Sequence, residues 1–263
     1  MRISNKAWLL AVVGCHSNPA VAPDAACDAD QQLIGSTDRL HVQIEYNGAP
    51  AVLLLDTGSP TTFLQEPLGS HDPIANAATF QIGCDAVVVD GRPEAPEGPV
   101  NGLPSVGTFG VDRLLIAPSE IDLVDARLSY ANVSSTSGWM TAPYDEVSGL
   151  VLAHVALDGQ PMRLMLDTGS QDTLWLGHAA QPGDVEVDTT DAQGNVVRLY
   201  QGSAVLTIGT VQRTIPVLRA PSFPYLEQTV AALGGDVQGL LGLSSLGDAF
   251  VLDGALHVEP ALP

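Results

Sequence analysis

Lysine is almost missing from this chain. Lys6 is the one lysine, and Lys and Arg together number 10 against 30 Asp and Glu, for a net charge of −20. A surface so poor in cations cannot hold a phosphate backbone by charge, which excludes nucleic-acid binding through a basic face. The acidity itself fits solubility, a salty or acidic milieu, or a taste for basic substrates. Charged residues of both signs make up only 15% of the chain while 45% is hydrophobic, which excludes a disordered polyelectrolyte and leaves a globular chain. The six histidines (16, 41, 71, 154, 178 and 257) include no close pair at ligand spacing, so no metal is expected. No cofactor motif stands out. Beyond the first fifteen residues no apolar run is long enough to cross a bilayer as a helix.

Glycine (26) and proline (19), by contrast, are plentiful, and the runs of Val, Ile, Leu and Thr between them are short. That pattern points to an all-β protein with many turns. The chain also repeats itself. Asp56-Thr57-Gly58-Ser59 returns as Asp167-Thr168-Gly169-Ser170, each closing an apolar run, Val52–Leu55 or Leu164–Leu166. Aligning 40–64 with 151–175 gives nine identities, Gly48/Gly159, Pro50/Pro161, Leu53/Leu164, Leu55/Leu166, the four motif residues and Thr62/Thr173. Asn47-Gly48 and Asp158-Gly159 are hairpin turns in matching places. Two further blocks follow in the same order, Ala78–Gly83 with Ala204–Gly209, and Phe109-Gly110-Val111 with Leu241-Gly242-Leu243. Three blocks in register indicate an internal duplication.

The expected organisation is lobe one over 35–130, a connector over 131–147 and lobe two over 148–263. Short helices are expected near Arg113–Ile116 and Ser244–Ala249, and apolar end strands over Ile121–Leu128 and Phe250–Val258. From Asp56 to Gly83 is 27 residues, but from Asp167 to Gly209 is 42. The surplus falls around Val185–Tyr200 and reads as a β-hairpin flap, with Gly194 in its turn and Arg198 and Tyr200 on its second strand. One flap rather than two is expected.

Ahead of the lobes, Arg2 and Lys6 precede the short apolar stretch Ala7–Val13, and Val12-Val13-Gly14-Cys15 resembles a bacterial lipobox. The resemblance implies a signal peptide over 1–14, lipidation of Cys15, a flexible tether over 15–34, and residence on the cell envelope. The alternative is a soluble secreted protein in which Cys15 is incidental. With Cys15 lipidated, Cys27 and Cys84 remain as an even pair that could form a disulfide in an oxidising compartment.

Two Asp-Thr-Gly-Ser turns, each followed much later by a segment ending in glycine (Thr108-Phe109-Gly110 and Leu240-Leu241-Gly242), resemble the aspartic proteases. The lobe length is similar to the retroviral-type subunit, as if two retropepsin-like units were fused. Ser59 and Ser170 are the pepsin-like choice, and Thr108 stands where the family usually has an apolar residue. The resemblance implies tandem β-barrel lobes with pseudo-twofold symmetry, a monomer built as a pseudo-dimer, and a peptide or protein substrate in the cleft. It makes Asp56 and Asp167 a carboxylate pair that shares one proton and activates water. Thr57 and Thr168 would brace the two turns against each other. Gly58 and Gly169 would allow close backbone approach, and the Ser59 and Ser170 hydroxyls would donate to the adjacent carboxylates. Two other readings stay open: a silent peptide-binding or scaffolding lipoprotein on the same fold, and units that pair between chains.

Overall fold

The computed structural model describes residues 30–36, 39–46, 49–65, 78–82, 85–92, 98–131, 133–190, 194–234 and 236–260. Cys15, Cys27 and Cys84 lie outside them, as do Asn47-Gly48 and the 191–193 part of the hairpin turn.

Lobe one comprises β1 (Asp30–Ser36), β2 (Arg39–Tyr46), β3 (Ala49–Asp56), β4 (Phe63–Gln65), β5 (Ala78–Ile82), β6 (Asp85–Arg92), β7 (Ser105–Gly110), the one-turn helix α1 (Val111–Leu114), β8 (Ser119–Asp122) and β9 (Arg127–Tyr130). Lobe two comprises β10 (Met140–Ala142), β11 (Tyr144–Val147), β12 (Leu150–Leu157), β13 (Gln160–Asp167), β14 (Thr173–Leu176), β15 (Val185–Thr190), β16 (Val196–Ile208), β17 (Val211–Ala220), helix α2 (Pro224–Ala232), β18 (Val237–Gly242), β19 (Ala249–Leu252) and β20 (Leu256–Val258). A single 3-10 turn, Leu243–Ser245, stands where lobe one has α1.

Each lobe closes six strands into a barrel. In lobe one the ring runs β2-β3-β7-β4-β6-β5 and closes through Tyr46 opposite Phe80. In lobe two it runs β12-β13-β18-β14-β17-β16 and closes through Ala156 opposite Thr207 and Leu157 opposite Leu206. The rings match strand for strand, so the aligned blocks of sequence occupy equivalent staves. The apolar run before each acid is explained by its place. The acid-bearing strands β3 and β13 each lie between two neighbours, and Leu53, Leu55, Leu164 and Leu166 are fully buried. Such burial stabilises by about 1.5–3 kcal/mol per leucine, and coverage on both faces explains why these runs do not alternate with polar residues.

The lobes join through a shared sheet of strand order β10-β20-β19-β8-β9-β1. Its middle pair, β8 and β19, sets Ser119 opposite Leu252 and Asp122 opposite Ala249 in antiparallel register. The pseudo-twofold axis passes between these strands, carrying β1 onto β10 and β9 onto β20. The architecture is therefore all-β, with tandem barrels related by an internal twofold.

The structure departs from the sequence reading in four places. β1 starts at Asp30, within the stretch read as tether, and its Leu33 is buried. The connector already contains β10 and the whole of β11, since Met140–Ala142 pair with β20 and Tyr144–Val147 with β12. Each expected end strand is a hairpin. In the first, Asp122 Oδ1 accepts the N–H groups of Val124 and Asp125, an Asx turn that reverses the chain. Lobe two also carries α2, which the sequence reading left out. It starts with Pro224 at its first turn, and the Glu227 carboxylate accepts the Phe223 N–H at 2.8 Å.

Candidate active site

The acid turns sit where the parallel strand pairs end. β3 runs parallel to β7 with Asp56 beside Gly110, and β13 runs parallel to β18 with Asp167 beside Gly242. Gly110 and Gly242 share one conformation, φ −83° and ψ 170° against φ −81° and ψ 167°. Any residue can adopt these angles, so the glycine requirement is one of space. A Cβ on Gly110 would lie 2.4 Å from the Thr61 carbonyl carbon, and one on Gly242 would lie 2.3 Å from the Asp172 carbonyl oxygen. The support is duplicated as well. Val111 N–H donates to Ser59 carbonyl at 3.0 Å, and Leu243 N–H to Ser170 carbonyl at 2.9 Å.

Across the twofold, Thr57 and Thr168 are fully buried and interlock. Thr57 N–H donates to Thr168 Oγ1 at 3.0 Å, Thr168 N–H donates to Thr57 Oγ1 at 2.9 Å, and the Thr168 hydroxyl donates to the Leu55 carbonyl at 2.9 Å. These bonds pin the two turns together. Gly58 and Gly169 also matter through proximity. A Cβ on Gly58 would fall 2.9 Å from Asp167 Cγ, and one on Gly169 would fall 2.8 Å from Asp56 Oδ1. Each glycine packs against the opposite acid, so any side chain there would push the pair apart.

The two carboxyls hydrogen-bond to each other. Gly58 N–H donates to Asp56 Oδ1 at 2.9 Å, and Gly169 N–H donates to Asp167 Oδ1 at 3.0 Å. Burial is the main force on both groups and raises both above the ordinary aspartate range. Asp167 is pushed up to about 7, first by burial, then by the charge of Asp56 and by the hydrogen bond between them. For Asp56 the bond from Asp167 works the other way and favours its ionised form. At mildly acidic pH the pair thus holds one proton between its two carboxyls.

One expected contact is not made. The Ser59 and Ser170 hydroxyls do not orient the carboxylates. Each donates to a carbonyl two residues on, Ser59 to Thr61 at 2.9 Å and Ser170 to Asp172 at 3.0 Å. A hydroxyl has one hydrogen, and the sharp turn after each motif supplies the nearer acceptor. The serines therefore fix the turn, while backbone N–H groups hold the acids.

The expected hairpin is present. β15 and β16 pair from Val185 opposite Gln201 to Thr190 opposite Val196, and Gly194 near its turn has φ 84°. Lobe one's corresponding stretch, 66–77, lies outside the described residues. Arg198 is exposed and ion-paired to Glu186 at 2.9 Å and Asp188 at 3.6 Å across the hairpin. Half-buried Tyr200 stands opposite Glu186 and Arg219. Together with Pro221 and Pro224, Arg198 and Tyr200 line a groove of about 290 Å³.

Two arrangements escaped the sequence reading. Thr62 and Thr173, visible only as the last aligned identity, tie each acid turn to its glycine. Thr62 Oγ1 accepts Gly110 N–H at 2.9 Å, and Thr173 Oγ1 accepts Gly242 N–H at 3.1 Å. The second is a buried cation. Arg219 has no exposed surface, and its guanidinium binds both oxygens of Asp184 at 3.0 and 3.1 Å and the Ser203 carbonyl at 2.7 Å. It also lies 5.7 Å from the centre of the buried Trp175 ring, which settles Trp175 as core. The network joins the approach to the hairpin (Asp184), its long second strand (Ser203) and the barrel (Arg219). Its one sequence signal is Gly202, where a Cβ would strike Asp184.

No family model matches the chain, and no curated protein matches it either. Among solved structures it is similar to one described as the crystal structure of aspartic proteinase from Irpex lacteus. The two are 14% identical, with a TM-score of 0.48, over 88% of this chain and 97% of that one.

Proposed function

We propose that this chain is an aspartic-type endopeptidase in which Asp56 and Asp167 activate a water between them. The observation that carries this reading is the pair itself. Two buried carboxyls from duplicated turns hydrogen-bond across a pseudo-twofold axis, with one raised to about 7. An extended peptide would lie between the lobes under the β15–β16 hairpin, which would keep bulk water out. Asp56, ionised, would take a proton from the water as its oxygen bonds to the scissile carbonyl carbon. Asp167 would give its proton to the carbonyl oxygen. Collapse of the tetrahedral diol would break the C–N bond as Asp56 passes its proton to the leaving nitrogen and one diol hydroxyl returns its proton to Asp167. Both acids then return to their starting share of one proton. No step needs a metal.

The reading extends to place. Arg2, Lys6, the apolar stretch and Cys15 support export and lipid tethering to a bacterial envelope, with a substrate met outside the cytoplasm. The test is cleavage of a diverse peptide library by wild type beside the Asp56→Asn/Asp167→Asn double variant. Cleavage by wild type alone is expected. Silence from a folded wild type across acidic to neutral pH would defeat the endopeptidase reading in favour of a peptide-binding lipoprotein.

A further inference from the structure

The two lobes differ at one matched place beside the shared sheet. Leu33 of β1 stands opposite Val42, and Tyr144 of β11 stands opposite Ala153. Val42 and Ala153 are aligned positions of the duplication, so Leu33 and Tyr144 are twofold mates. Tyr144 packs against the core, with its hydroxyl beside the backbone of Gly254 in the β19–β20 turn. The mate of that turn is the β8–β9 turn. Here the shorter Leu33 leaves a cavity of about 420 Å³, walled by Leu33, Leu40, Leu123 and Val124 and reaching Gln171 and Ser244. Gln171 Oε1 and Ser244 Oγ are both buried and both lack a hydrogen-bond partner. Such atoms weigh against the fold until something bonds them. They are also next to the chemistry, since Gln171 follows Ser170 and its carbonyl accepts the Ser244 N–H at 2.9 Å.

We propose that this cavity binds the side chain of a tyrosine presented by a peptide substrate. The ring takes the place among the leucines that Tyr144 takes in the other half. The phenol donates to Gln171 Oε1 and accepts from the Ser244 hydroxyl, so both orphaned atoms are satisfied at once. The volume is at the small end of ligand pockets, of which a typical one spans roughly 300–1,000 Å³. Phenylalanine would fill the walls but leave both polar atoms bare, and leucine would do neither. This inference names a side-chain class for the proposed peptidase and rests on that reading for the source of the tyrosine. Occupation of the cavity itself is independent of turnover.

The test uses the full chain carrying Asp56→Asn/Asp167→Asn, which separates binding from cleavage. N-acetyl-tyrosinamide, N-acetyl-phenylalaninamide and N-acetyl-leucinamide are titrated by NMR. The tyrosine amide is expected to bind at least about fivefold more tightly than the other two, the size of effect one satisfied hydrogen bond supplies. Leu33→Tyr, which copies the filled half, should abolish that binding. Val124→Trp closes the cavity from its exposed rim and serves if Leu33→Tyr does not fold. Equal binding of the three amides, or undiminished tyrosine binding in a folded closing variant, overturns the inference. Cleavage by wild type without tyrosine-amide binding would sink the cavity and spare the peptidase. Binding without cleavage by wild type would sink the peptidase and spare the cavity.

Discussion

Lobe one and lobe two are the same barrel with different reinforcement. At matched positions lobe one sets Leu64 opposite Gly91, while lobe two sets Trp175 opposite Arg219. Lobe one's β5 has five residues, and its counterpart β16 has thirteen, extended into the hairpin. The buried Arg219–Asp184 pair and the Trp175 ring lie where that longer strand leaves the barrel. Around the acids, in contrast, the halves agree in most of their bonds, from the reciprocal threonine N–H bonds to the two glycines that admit the opposite carboxyl, with the Thr168 hydroxyl adding a bond to the Leu55 carbonyl. The half that carries the long hairpin thus carries the extra bracing, while the turns that bear the two acids stay closely matched. The two halves thus differ at the rim and match at the centre.

The symmetric centre is where a change should cost most. Asp56→Asn or Asp167→Asn alone is expected to lower kcat on a cleaved peptide by about a thousandfold or more, since neither acid works without its mate. Retention of most activity in either variant would break the equivalence of the halves. Next comes the asymmetric brace. Arg219→Met leaves Asp184 buried and unpaired and should cost about 3–5 kcal/mol in denaturant unfolding. A cost below about 1 kcal/mol would mean the pair is incidental to lobe two. Thr168→Val strips the Thr57 N–H of its acceptor and the Leu55 carbonyl of its donor, for a loss of about 1–3 kcal/mol. Calorimetry of that variant beside Thr57→Val would reveal whether the additional Thr168–Leu55 bond makes the Thr168 side the costlier one to lose. Arg198→Ala, on the exposed hairpin face, should move stability by less than about 0.5 kcal/mol. A large change in KM with that variant would make Arg198 a substrate contact rather than a partner of Glu186 and Asp188.

Much of this was legible in the sequence because the repeated blocks stand in the same order in both halves. The three aligned blocks became the matched strands β3 and β13, β5 and β16, and β7 and β18, and the extra residues of lobe two became the hairpin. What escaped was set by contacts between residues far apart in the chain. Nothing near Ser59 or Ser170 tells a hydroxyl to prefer a carbonyl two residues on over a carboxylate beside it. Asp184 and Arg219 are 35 residues apart, and neither sits in a repeated block. The mating of Leu33 with Tyr144 needs the β1 and β11 registers, which no alignment of the acid turns supplies. Helix α2 is a different case. Pro224 at its start, Leu226, Val230 and Leu233 on one face and Gly234 past its end form a readable helix signal. An all-β expectation hid it.

The central claim is that two acids share one proton across the twofold. It is tested most directly by following the Asp carboxyl carbons by NMR through a pH titration of wild type and Asp56→Asn. In wild type one carboxyl should titrate near 7, far above the ordinary 3.8. A folded-state value raised in this way means the native protein binds the extra proton. Stability should therefore fall as pH rises from about 4 through 7, and cleavage should fail above it. Removing the Asp56 charge should bring Asp167 down, though burial keeps it above an exposed aspartate. If both carboxyls of wild type titrate near 4, and Asp167 does not move when Asp56 is replaced, the acids do not share a proton and the account of this site is wrong.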